Sequence, residues 1–92
     1  MKAQIISYTL EKANTNQRGI IQRALNGYKD YSNKGFYKYE RKGLIDKITC
    51  IKLNRGVIII SEKDKRAIVS VLKKNKASVK IIPVDIDSSF FN

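Results

Sequence analysis

Apolar and polar residues alternate loosely over residues 2–10 (KAQIISYTL), with Ile6, Tyr8 and Leu10 on one face and Ile5 adding apolar character to the other. This pattern predicts a strand, and one with an interior place in a sheet. A helical period follows, in which Ile20, Ile21, Ala24 and Leu25 fall on one stripe. Asn14 or Thr15 supplies a cap, Asn14 and Gln17 have capping-box spacing, and Gly27 is a natural stop. Gly19 inside this helix costs about 1 kcal/mol relative to Ala, and is read as permitting close packing. Residues 28–35 (YKDYSNKG) form a polar, turn-rich connection. Residues 36–41 (FYKYER) predict a short strand with Phe36, Lys38 and Glu40 opposite Tyr37, Tyr39 and Arg41, ended by Lys42 and Gly43. In residues 44–54, Leu44, Ile45, Ile48, Ile51 and Leu53 fit a helical turn followed by the start of a strand.

The clearest strand is Val57-Ile58-Ile59-Ile60, an unbroken β-branched run suited to a central strand buried on both faces. Ser61 then predicts a helix cap, with Asp64 as its reciprocal partner, and a helix over 62–76. Ala67, Ile68, Val71 and Leu72 form its buried stripe, and Lys63, Lys65, Arg66, Lys73 and Lys74 solvate the rest. Residues 78–86 (SVKIIPVDI) give a last strand, and Pro83 within it argues for a sheet edge. The order strand, helix, strand, strand, helix, strand predicts an α+β fold of the ferredoxin-like plait type. Its four-stranded antiparallel sheet carries two helices on one face, with the first and third strands in the middle. One domain over 1–87 and a short tail over 88–92 are expected.

Charge changes the picture from fold to partner. Nineteen Lys and Arg stand against eight Asp and Glu, a formal +11 on 92 residues, yet 42% of the chain is hydrophobic, enough for a packed interior. A compact body with that surplus repels itself, and a polyphosphate is the usual partner that makes it useful, because each neutralised phosphate releases counterions. Glu is confined to Glu11, Glu40 and Glu62, which argues against a surface built from balanced ion pairs. The single Cys50 has no partner for an internal disulfide, and Met1 runs straight into the first alternating stretch. A reducing, cytoplasmic setting with no leader and no membrane span is therefore expected.

The segment Tyr28–Lys42 concentrates the chemistry. It holds five of the eight aromatics (Tyr28, Tyr31, Phe36, Tyr37 and Tyr39) together with Lys29, Lys34, Lys38, Arg41 and Lys42, against only Asp30 and Glu40. Rings stack unpaired bases while cations follow the backbone, so this mixture is what single-stranded nucleic acid needs. Asn33 and Ser32 add hydrogen-bonding groups, and Arg55 in Asn54-Arg55-Gly56 adds a basic turn placed to meet a phosphate. Arg55-Gly56 also begins like the third-strand signature of the RNA-recognition motif. Val57, Ile58 and Ile59 then stand where that family places aromatics, and Tyr8 is the only ring on the first strand. The resemblance is one of topology, and the sheet face is not expected to bind.

Candidate catalytic chemistry is sparse. The chain has no His, Asp85 and Asp87 alternate along a strand, and Asp46 and Asp64 share no spacing, so neither a metal site nor a cofactor is expected. The expectation is an RNA-binding protein in a ribosome or ribonucleoprotein setting, with RNA favoured over DNA. An alternative from another class is a protein-interaction module that uses Phe90 and Phe91 with a sheet edge. A third is a metal-independent nuclease drawing on Tyr37, Tyr39, Arg41 and Lys42.

Overall fold

The computed structural model describes residues 1–32 and 37–91, and over 29–32 and 37–41 it describes the backbone. The elements in chain order are β1 (Lys2–Thr9), α1 (Thr15–Asn26), β2 (Tyr28–Ser32), β3 (Tyr37–Arg41), α2 (Leu44–Lys47), β4 (Cys50–Asn54), β5 (Val57–Ser61), α3 (Lys65–Lys74) and β6 (Ser78–Asp85). Short 3-10 turns occupy Glu62–Asp64 and Ser88–Phe91. The fold is α+β. Four strands form one antiparallel sheet in the order β4-β5-β1-β6, and β2 pairs with β3 in a separate two-stranded sheet.

The inner strand β5 (Val57–Ser61) is the most apolar stretch of the sheet, and β1 lies beside it. β1 pairs with β5 through Ile6–Ile58 and Ile5–Ile59, and with β6 through Ile6–Ile81 and Ile5–Ile82. Ile58 and Ile60 are buried under the helices, and Ile59, on the other face, is buried beside its cross-strand neighbours Ile5 and Ile51. β6 is an edge, the place its Pro83 can occupy without leaving a ladder bond unmade. Met1 closes the free end of the β1–β6 pair: its ammonium sits 3.0 Å from Asp85 Oδ1 and donates to the Ile86 carbonyl at 2.7 Å.

Helices α1 and α3 lie on the same face of the sheet. Ile21 and Leu25 of α1 and Ile68 and Leu72 of α3 join Ile6, Ile58 and Ile60 in one buried cluster. Removing this much aliphatic surface from water is the main force holding the layers together, at about 25 cal/mol per Å². α1 begins as its sequence predicts, because Asn14 and Gln17 close both halves of a capping box at 2.8 and 2.9 Å. Two stripe positions differ from expectation: Ile20 and Ala67 are exposed, since each helix presents only a narrow row to the sheet.

The opposite sheet face shows a row of four isoleucines, one per strand: Ile51, Ile59, Ile5 and Ile82 are successive cross-strand partners. Ile82 is 42% exposed and Leu53 47%.

The simple chain order expected from the sequence is not followed. Residues 28–32 are a strand rather than a connection, and the 37–41 strand pairs with them instead of joining the main sheet. The strand that pairs with β5 is β4, from the stretch that reads as a turn followed by a strand start. Tyr28 to Ser32 and Tyr37 to Arg41 satisfy each other's backbone groups locally, which leaves the main-sheet edge to Cys50–Asn54. The second long helix is also shorter than expected: its first turn is 3-10 and it begins at Lys65. Ser61 does not cap it in the usual way. The Ser61 hydroxyl donates to Asp64 Oδ2 at 2.7 Å, and the same oxygen accepts from the Thr49 N–H at 3.1 Å, tying the start of β4 to the start of α3.

Candidate nucleic-acid interface

The basic aromatic segment is a β-ribbon. Its register sets Tyr28 opposite Arg41, Lys29 opposite Glu40, Asp30 opposite Tyr39, Tyr31 opposite Lys38 and Ser32 opposite Tyr37. Asn33 and Lys34, with Phe36, lie outside the described residues. The ribbon thus gathers Lys29, Tyr31, Tyr37, Lys38, Tyr39 and Arg41 onto two adjacent strands.

Both feet of the ribbon stand at the C-terminal end of α1. Gly27 (φ 75°) ends the helix, donating its N–H to the Arg23 carbonyl at 2.9 Å. The positive φ there suits glycine and turns the chain out into β2. At the other foot Gly43 is buried against the same helix end. A Cβ on it would fall 2.2 Å from the Leu25 carbonyl oxygen and 2.4 Å from the Gly27 nitrogen. No other residue fits there without moving backbone. Tyr28, 46% exposed, and Lys42, also exposed, lie at this base.

Arg55 is not part of this group. It lies in the turn closed by the Asn54–Val57 pair, and Val57 pairs in turn with Ser7 near the end of β1. That is the opposite end of α1, beside Arg18 rather than beside Gly27. The turn is held tightly. Asn54 Oδ1 accepts from the Arg55 N–H at 2.8 Å, and the Tyr8 N–H donates to the Gly56 carbonyl at 2.8 Å. Gly56 has φ +74°, and a Cβ there would meet the Tyr8 carbonyl at 2.6 Å.

Around Arg55 the fold builds a cleft of about 620 Å³ that the sequence alone does not reveal. The end of β1 contributes Tyr8, Thr9 and Leu10, α1 contributes Arg18 and Gln22, and the β4–β5 turn contributes Lys52, Arg55 and Gly56. Among the described residues three cations line it and no carboxylate does. Arg18 is anchored from behind: its Nε donates to the carbonyls of Leu10 and Ala13, each at 3.0 Å. That contact fixes the guanidinium plane and leaves its terminal nitrogens for other work. Tyr8 is half-buried, and burial pushes its phenol above the usual range, so it stays a protonated donor. Arg18 and Gln22 are four apart on one helix and so share a face, a spacing visible in the sequence. Which turn they meet depends on strand pairing, which is not.

The remaining chemistry-bearing residues have structural partners. The Cys50 thiol sits 3.6 Å from the Ile45 carbonyl, and burial first, then Asp64 and Asp46, push its pKa up, away from nucleophilic use. Asp87 accepts from the Ser89 N–H at 3.0 Å. Among the described residues no three His, Cys, Asp or Glu side chains come together as metal ligands. Lys63, Arg66, Lys73, Lys74 and Lys76 are exposed along α3 and its flanks. Phe90 and Phe91 meet each other edge to face, centroids 5.8 Å apart, with Phe90 44% exposed. The open sheet face carries aliphatic side chains, while Tyr8 packs on the helix side beside the core cluster. No described helix is long and apolar enough to cross a membrane.

No protein-family model, curated protein or solved structure matches this chain.

Proposed function

We propose that this protein binds nucleic acid, RNA in preference to DNA, in a ribonucleoprotein setting, and that the β2–β3 ribbon is its main contact. The observation that carries this reading is the ribbon's independence. Among the described residues it is a two-stranded sheet of its own, paired with no strand of the main sheet, and its sequence bears the densest mixture of rings and cations in the chain. A ribbon of this kind has the cross-section to enter a groove or lie along a single strand. The formal +11 charge supplies long-range attraction for a polyanion. The main sheet with α1 and α3 is, in the same reading, a ferredoxin-like plait into which residues 28–47 are inserted ahead of its second strand. The inner positions of β1 and β5, and the edge positions of β4 and β6, support that assignment.

The test is the salt dependence of binding to single-stranded RNA. Replacing Lys29, Lys38, Arg41 and Lys42 together by Gln should flatten the slope of log affinity against log salt by roughly 0.7 for each phosphate no longer neutralised. Deleting residues 88–92 should leave the slope unchanged. A parent protein whose affinity is insensitive to salt, or a tail deletion that abolishes binding, would defeat the reading and favour the protein-interaction alternative. Cleavage of the RNA, abolished by Tyr37→Phe with binding intact, would point instead to a nuclease.

A further inference from the structure

The geometry points to a second, separate recognition site. We infer that the cleft between the end of β1, α1 and the β4–β5 turn binds a terminal phosphate of an RNA strand. The inference rests on the nucleic-acid reading above for its source of phosphate, but its residues are different ones. Arg18, Lys52 and Arg55 converge on one concavity with no acid among its lining residues. Three cations outnumber the single negative charge of one backbone phosphodiester. A phosphomonoester carries about 1.5 to 2 negative charges at neutral pH and three free oxygens, which match the donors better.

The surroundings also fit one terminal nucleotide. The cleft's volume of about 620 Å³ lies within the range of small-ligand sites. Tyr8 and Leu10, which pack inward against the core, give it a partly apolar floor, and Gln22 and Thr9 supply neutral hydrogen-bonding groups. The site is organised before any ligand arrives, because two backbone carbonyls hold Arg18 and the Gly56–Tyr8 contact holds the turn. Preorganised donors lose less freedom on binding.

The experiment compares a short oligouridylate with and without a 5′-phosphate, using the full chain. The 5′-phosphorylated form should bind about tenfold more tightly, the scale of one or two charge-assisted hydrogen bonds. Arg55→Gln and Lys52→Gln should each remove most of that difference while leaving the unphosphorylated oligomer's affinity almost unchanged. Both side chains are exposed, so both variants should fold; Arg18→Gln is less suitable because Arg18 also braces the β1–α1 loop. Lys74→Gln, on α3, is the charge-matched control. Equal binding of the two oligomers by the parent overturns the inference, as does equal weakening of both by Arg55→Gln, which would mean an internal phosphodiester. Titration with inorganic phosphate, followed at the amides of Tyr8, Thr9, Arg55 and Gly56, separates the two proposals. If RNA fails to bind but these amides shift, the cleft stands as a phosphate site and the RNA reading falls. If RNA binds but they do not shift, the cleft is overturned.

Discussion

Gly19 sits in the middle of α1, where glycine costs helix stability without any backbone reason for it. The nearest atoms a Cβ at this position would meet belong to the flexible Arg23 guanidinium, the first 3.5 Å away. The close packing suggested by the sequence is therefore absent, and Gly19→Ala should stabilise the protein by about 1 kcal/mol in denaturant unfolding. Asp64 has the opposite character. The Ser61 hydroxyl bond first, then the Thr49 N–H and Lys63, hold its carboxyl below the usual carboxylate range against a smaller effect of burial. A depressed folded pKa means that the stabilisation is complete above the unfolded value, near ~3.9, and is lost as pH falls through the lower folded value. Asp64→Ala should cost roughly 1 kcal/mol at neutral pH, discounted for solvent exposure. The gap between variant and parent should narrow in unfolding curves as pH falls below the unfolded value.

At the scale of elements, legibility follows the range of the forces. The capping box at Asn14 and Gln17, the stop at Gly27, the central β-branched strand and the Pro83 edge are all readable, because each depends on neighbours a few residues away or on composition alone. The ribbon is not. Residues 28–32 (YKDYS) alternate aromatic and polar groups as a strand does, but the flanking Ser, Asn, Lys and Gly give an equally strong turn signal. Only pairing with residues 37–41 decides between them. The same ambiguity hides β4, whose apolar residues are split between the core side at Cys50 and the open face at Ile51 and Leu53. Ser61 and Asp64 have capping-box spacing yet serve a tertiary bridge, since the 3-10 turn at Glu62–Asp64 moves the helix start past them.

For the whole molecule, the kinds of side chain suited to recognition are plain in the sequence, but their geography is not. Positive charge and rings are visible at once, and Arg55 stands out as a basic turn. The fold separates it from Tyr28 and Lys42 and gives it Arg18 and Lys52 as neighbours instead. Those two escape a reading of the sequence because their partners come from strands joined only by long-range pairing.

The contact between Gly43 and the end of α1 reaches beyond packing. A Cβ on Gly43 would come within 2.4 Å of the Gly27 nitrogen, so the chain leaves the body and returns to it at practically one point. The strands β2 and β3 are in effect a pendant on a closed ring, and a short splice from Gly27 to Gly43 should leave the ring whole. Such a trimmed protein should melt cooperatively within a few degrees of the parent by calorimetry, as insertions with adjacent ends commonly permit. A chain that fails to fold after the splice would show that the ribbon is part of the scaffold. Nature would then have had no freedom to lengthen, shorten or exchange it without rebuilding the body beneath.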